Sequence, residues 1–294
     1  MPMTPAFRIL LGAAGLALLV LVLDRMIDRM YRNPVRRRRV DLRKNGLPVE
    51  DVRIPAAGGG WLSGVFVAAS PDAPVILLVH GWGRNIDRVA PYLRRLYPQG
   101  YNLLAFDARN HGDSSPVKHP TVGTFTEDIL AAVDYLAARK PAFSGKVGVI
   151  GLSIGGAAAI NAAGRDERIR SVVTVGAFSH PEAAMLAAFT KKGVPEFLPR
   201  LLFAYMRLRY GLDFDALAPV NAIRETSADV LLIHGEQDEI VPVGQGKQLA
   251  DAGNPRHTRL WVVAGRGHSN CEKDAQFWER VLAFLRETLP AGGN

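Results

Sequence analysis

A serine hydroxyl is a poor nucleophile until a base takes its proton, and the base in turn needs a carboxylate to orient it. Gly151-Leu152-Ser153-Ile154-Gly155 fits the pattern G-x-S-x-G between an apolar run, "KVGVIG" (146–151), and an alanine-rich one, "IGGAAAINAAG" (154–164). A strand followed directly by a helix is the context this motif requires, because the turn between them lifts the serine above the sheet edge at a helix amino terminus. The flanking glycines lack the Cβ that would collide with neighbouring chain in so tight a turn. The order nucleophile, acid, base then directs the search downstream. Past "DVLLIHGE" comes "QDEIVP", offering Asp238, with Glu236 and Glu239 as rivals; past "TRLWVVAG" comes "RGHSN", offering His268. Of the 7 histidines, His119, His180 and His257 fit surface loops or turns. His80 and His234 end apolar runs and His111 precedes the serine, so these three read as hydrogen-bonding partners of loops around the site. His268 keeps the order.

The elements that must carry these groups are legible in the hydropathy pattern. "VEDVRIPA" and "GWLSGVFVAA", split by a glycine run, read as an antiparallel hairpin. The runs at 74–80, 101–109, 146–151, 170–178, 229–236 and 258–265 are almost continuously apolar, as strands buried on both faces are. Helical stretches lie between most of them, including 125–139, 154–164 and 271–289. Alternating strands and helices predict a mostly parallel sheet covered by helices on both faces. One connection, 180–228, is far longer than an ordinary strand–helix loop and is rich in Leu, Phe, Met and Tyr. It reads as a helical cap over the carboxyl edge of the sheet, where ligands bind in open α/β folds. Cys271, the only cysteine, excludes an intrachain disulfide and a CxxC zinc site and reads as a small apolar filler.

Charge is unevenly spread. Residues 1–44 hold ten Arg and Lys against three Asp, so nearly all of the net charge of +8 lies there. A body close to neutral is not a nucleic-acid-binding one, since a basic footprint belongs on the domain that grips. Ala6 to Leu23 is apolar apart from Arg8 and runs straight into "DRMIDRMYR" without a small-x-small cleavage site, which reads as an uncleaved membrane anchor. Arg25, Arg29, Arg32 and Arg36 to Arg39 follow it, so the positive-inside bias puts the following domain in the cytoplasm. The four consecutive arginines read as a solvated flank or as a contact for anionic lipid head groups.

With "HGWG" (80–83), "FDARNHGDS" (106–114), "GLSIGG" (151–156), "HGEQDEIVP" (234–242) and "GRGHSN" (265–270) in that order, the chain resembles the α/β-hydrolases over roughly residues 49–289. Within them it is similar to the bacterial membrane-anchored esterase, lysophospholipase and serine-aminopeptidase-like group. The resemblance implies an α/β-hydrolase domain at 49–290 with a cap at about 180–228, after an anchor helix at 1–32 and a basic linker at 33–48. It implies Ser153 as nucleophile, Asp238 as acid through "DEIVP", and His268 as base. It further implies an oxyanion hole from the backbone N–H groups of Trp82 and Ile154. Haloalkane dehalogenases and epoxide hydrolases carry aspartate where this chain has Ser153, which disfavours both chemistries. The expected function is hydrolysis of a carboxylic ester or thioester through an acyl-enzyme, on a small-molecule or lipid-like acyl substrate, with no cofactor and no metal. Amide or peptide hydrolysis is the enzymatic alternative, and a non-catalytic membrane scaffold that kept the fold is the alternative of another kind.

Overall fold

The structure is a computed structural model that describes residues 3–33, 38–139 and 147–291. Arg36, Arg37 and Lys146, which the sequence reading placed in the basic flank and at the start of a strand, lie outside the described residues. The chain divides into two compact units, Met1–Pro34 and Val35–Asn294.

The first unit is one helix, α1 (Pro5–Met30), of 26 residues. Thr4 caps it by accepting from the N–H of Phe7, and Pro5 occupies a first-turn position where a missing N–H costs nothing. At 1.5 Å per residue the helix is about 39 Å long, enough to cross a hydrocarbon core of about 30 Å. It is long and apolar enough to be a candidate membrane anchor.

In the second unit β1 (Val49–Pro55) and β2 (Trp61–Val67) form the expected hairpin, pairing antiparallel from Val49 with Val67 to Pro55 with Trp61. β3 (Val75–Val79), β4 (Asn102–Phe106), β5 (Val147–Leu152), β6 (Ile169–Val175), β7 (Asp229–Gly235) and β8 (Thr258–Val263) complete a sheet of eight strands in the order β1-β2-β4-β3-β5-β6-β7-β8. β2 meets β4 antiparallel, and every pair from β4 to β8 is parallel. Reversal of strand order around β3 puts the sheet's switch point beside β5, the strand that leads into Ser153.

Alternation along β3 shows how the two faces are filled. Val75, Leu77 and Val79 enter one core with Phe125, Ile129, Val133 and Leu136 of α3 (Val122–Arg139) and Ala157 to Ala159 of α4 (Ile154–Ala163). Ile76 and Leu78 enter the other, with Tyr92, Leu93 and Leu96 of α2 (Ala90–Leu96). In the connection at 180–228, α5 (Pro181–Lys191) and α6 (Phe197–Tyr210) meet through Phe189 and Phe203 at a ring separation of 6.2 Å, and Phe214 lies 5.8 Å from Phe203. α7 (Pro219–Glu225) instead packs Ile223 into the first core. α8 (Val243–Ala252), with two glycines and an interrupted apolar pattern, had no helix signature in the sequence reading. The last helix, α9 (Phe277–Thr288), is shorter than the 271–289 expected. Cys271–Lys273 is a separate 3-10 turn and Asp274 is extended, because its carboxylate accepts from the N–H of Gln276 and ends the turn before the helix begins.

Candidate active site

Ser153, Asp238 and His268 each sit past the carboxyl end of a parallel strand, β5, β7 and β8 respectively. Ser153 follows β5 and precedes α4 with φ 54° and ψ −121°, a positive-φ conformation that a non-glycine residue rarely adopts. Its backbone N–H donates to Val175 O at 2.8 Å, and its carbonyl accepts from Gly156 and Ala157, so both sides of the turn are tied down. The glycines permit close approach: a Cβ on Gly151 would stand 2.3 Å from Gly155 O, and one on Gly155 would stand 2.6 Å from His80 O.

Ser153 Oγ lies 2.9 Å from His268 Nε2, and His268 Nδ1 lies 2.7 Å from Asp238 Oδ2. With the carboxylate accepting from Nδ1–H, Nε2 presents a lone pair to the serine hydroxyl. The other oxygen of Asp238 accepts from the N–H groups of Ile240 at 2.9 Å and Val241 at 2.8 Å, which fixes the carboxylate with respect to the ring. The rival acids go elsewhere. Glu236 accepts from the N–H of Gly265, and Glu239 pairs with Lys191 on α5, which holds its carboxyl below the usual range.

The segment after β3 runs directly against the serine, since a Cβ on Gly81 would be 3.3 Å from Ser153 Cβ. His80 Nδ1 donates to Gly81 O at 2.8 Å, and its Nε2 accepts from the N–H of Ala108 at 3.0 Å. A trans peptide points its N–H opposite its C=O, so the bond that anchors Gly81 O also sets the direction of the Trp82 N–H. Ile154 is the first residue of α4, where a helix N–H has no partner in its own helix. His111 Nδ1 donates to Arg109 O at 3.0 Å, and its ring meets that of Trp82 at 5.2 Å. Burial lowers both His80 and His111 to about 4, so each is neutral and acts as a brace. His234 bonds Val241 O at 2.8 Å beneath Asp238 and is likewise lowered by burial. The loop-bracing roles expected for these three histidines are what the hydrogen bonds display. The Cys271 thiol, buried and pushed up to about 12 by burial, donates to Gly267 O at 3.6 Å and is no nucleophile.

Three supports gave no usable signal in the sequence. Arg109 forms an ion pair with buried Asp128, whose carboxyl burial raises to about 6, and fastens the turn after β4 to α3. Arg88 pairs with Glu272 at 3.0 Å across the sheet edge. Asp107, inside the quoted "FDARNHGDS", is fully buried and bonded by backbone N–H groups from two loops. Such pairs join residues up to 184 positions apart, a relation that no local spacing encodes.

The family model described as "Alpha/beta hydrolase family" matches residues 76–280. The chain belongs to the alpha/beta hydrolase family. Among its relatives is alpha/beta hydrolase domain-containing protein 17C of Xenopus laevis, 27% identical over 244 residues that cover 82% of this chain and 71% of that protein. An uncharacterised protein of Bacillus subtilis, YqkD, is 27% identical over 67% of this chain and 65% of its own length. Relatives thus come from animals as well as bacteria. In fold, the chain is similar to the Pyrococcus furiosus esterase Pf2001, with a TM-score of 0.72 and 24% identity over 88% of this chain and 98% of that one. It is also similar to a meta-cleavage product hydrolase from Pseudomonas fluorescens, with a TM-score of 0.59 and 22% identity over 80% and 97%.

Proposed function

We propose that this α/β-hydrolase is a serine hydrolase that cleaves a carboxylic ester or thioester through an acyl-enzyme. The observation that carries the reading is the unbroken chain of hydrogen bonds from Ser153 Oγ through His268 to Asp238, at 2.9 and 2.7 Å. In the proposed reaction Ser153 Oγ attacks the substrate carbonyl carbon while His268 Nε2 takes the hydroxyl proton. Asp238 keeps the ring in the tautomer that can accept, and stabilises the imidazolium that results. The backbone N–H groups of Trp82 and Ile154 receive the negative charge that develops on the carbonyl oxygen, helped by the positive end of α4. Collapse expels the alcohol or thiol, with His268 returning the proton; water then enters by the same route in reverse and releases the acid.

Two exposed apolar side chains close in sequence to the site residues support an apolar acyl group: Trp82, 37% exposed, follows the Gly81 that abuts Ser153, and Ile240, 58% exposed, follows Asp238 by two positions. A candidate anchor helix on the same chain fits a membrane-bound enzyme with a lipid-like acyl substrate, its catalytic unit on the cytoplasmic side where the basic flank directs it.

Purified full-length protein in detergent is expected to hydrolyse p-nitrophenyl esters and to react with a fluorophosphonate probe. Ser153→Ala is expected to lose both. Ester hydrolysis that persists undiminished in that variant contradicts the reading.

A further inference from the structure

One arginine of the basic flank leaves solvent and enters the body. Arg38 Nε donates to Asp107 Oδ2 at 3.3 Å and its Nη2 donates to Ser63 Oγ at 2.9 Å. Asp51 approaches the same guanidinium at 3.9 Å. Asp107 has a side chain with no exposed surface. Its Oδ1 accepts from the N–H of Ile86 at 2.8 Å, and its Oδ2 accepts from the N–H of Asp113 at 3.1 Å. Arg38 is, among the described residues, the cation paired with it. Burial pushes the Asp107 carboxyl upward while Arg38 and the two N–H groups oppose this.

The two loops that Asp107 joins are those around the proposed oxyanion donor. Ile86 belongs to the segment that begins at Trp82, and Asp113 belongs to the turn whose His111 ring packs on Trp82. The residues next to Arg38 grip the same place: the N–H groups of Arg39 and Val40 donate to Asp87 at 2.8 and 3.1 Å. On the far side of the 3-10 turn Ile86–Arg88, Arg88 bonds Glu272 and, at 3.4 Å, the carbonyl of Ser269, the residue after His268. Residues 38–40 therefore hold one short turn that is bonded both to the Trp82 segment and to the His268 loop.

We propose that Arg38 is a positioning residue for the reaction: through Asp107 and the turn at 86–88 it fixes the Trp82 N–H and the His268 loop against Ser153. The inference rests on the serine-hydrolase reading. A buried carboxylate stripped of its cation either takes up a proton or shifts toward water, and either change loosens the two loops it joins. Displacing catalytic groups by about 1 Å costs up to ~10²-fold in rate. The loss falls on turnover, because an oxyanion donor acts on charge that exists only in the transition state.

The test compares full-length wild type, Arg38→Ala, Arg38→Gln and Arg38→Lys on a p-nitrophenyl ester, with active sites counted by fluorophosphonate titration. Expected for Arg38→Ala and Arg38→Gln is a kcat per titrated site lower by about tenfold or more, with KM within about twofold of wild type. Arg38→Lys, which keeps a charge for Asp107 but not the fork to Ser63, recovers most of that loss. An unchanged kcat per site in Arg38→Gln overturns the proposal. So does an activity loss matched by fewer titratable sites, which marks an unfolded fraction, or an equal loss in Arg38→Lys. If Arg38→Ala does not fold, the Gln and Lys pair decides alone. Absence of Ser153-dependent hydrolysis in wild type defeats the underlying reading, a result separate from any of these.

Discussion

At the scale of residues, the site combines three groups placed to move a proton with a larger set of neutral braces. His80 and His111 belong to the braces, and their protonation carries a consequence for stability. Each has an ordinary value near 6.5 lowered to about 4 in the fold. Between those values the unfolded chain binds a proton that the folded chain refuses, so their contribution is complete above pH 6.5 and is lost as pH falls toward 4. Asp128, raised to about 6, runs the other way, holding a proton in the fold that the unfolded chain has released. In His111→Asn, whose amide nitrogen can replace Nδ1 toward Arg109 O, one histidine contribution disappears. Chemical unfolding is therefore expected to show a smaller loss of stability from pH 7 to pH 5 than in wild type, by about 2 kcal/mol. An unchanged loss would contradict a neutral, buried His111. That Ser153, Asp238 and His268 would meet was readable because motif order and strand ends are local signals. Arg38 was not: in "RRRR" it is indistinguishable from its neighbours, and what singles it out is a carboxylate 69 positions away.

At the scale of elements, the turn from β5 into α4 lies close against the end of β3. Gly155 is where the two meet, and a Cβ there would stand 2.6 and 2.7 Å from the carbonyl oxygens of His80 and Val79. Backbone atoms cannot swing aside as a side chain does, so Gly155→Ala must separate α4 from the His80–Trp82 segment. The expected outcome is a fall in Tm together with at least about a tenfold loss in kcat per folded enzyme. Full activity in that variant would show that the packing between these elements does not position the proposed oxyanion donors. The central strands β3 to β7 were legible because they are almost wholly buried and write near-continuous apolar runs. The boundaries of helices were less so. α9 starts six residues later than the apolar and charged pattern suggests, since the Asp274 carboxylate captures a backbone N–H that the helix would otherwise use. The two glycines of α8 concealed a helix whose Leu249 is fully buried, a case of tertiary packing outweighing propensity.

At the scale of the whole molecule, a candidate membrane helix and a catalytic unit share one chain, and the charge distribution between them sets the expected orientation. A reporter that is active only after export, fused to the carboxyl terminus, is expected to stay inactive, and one active only in the cytoplasm to function. The reverse pair of results would overturn the cytoplasmic placement. Family membership follows from the match over residues 76–280 and the eight-stranded sheet, whereas the chemistry rests on the side chains at the sheet's edge. The fold alone hosts both an esterase and a meta-cleavage product hydrolase. The central claim is therefore covalent: a carbonyl carbon becomes bonded to Ser153 Oγ during turnover. Rapid quenching of full-length enzyme during hydrolysis of a p-nitrophenyl ester, followed by peptide mass spectrometry, measures this directly. The account predicts one acyl group, on the peptide containing Ser153, absent in Ser153→Ala. An acyl group on another residue, or turnover through Ser153 with no adduct even in Asp238→Asn, where deacylation is slowed, would contradict it.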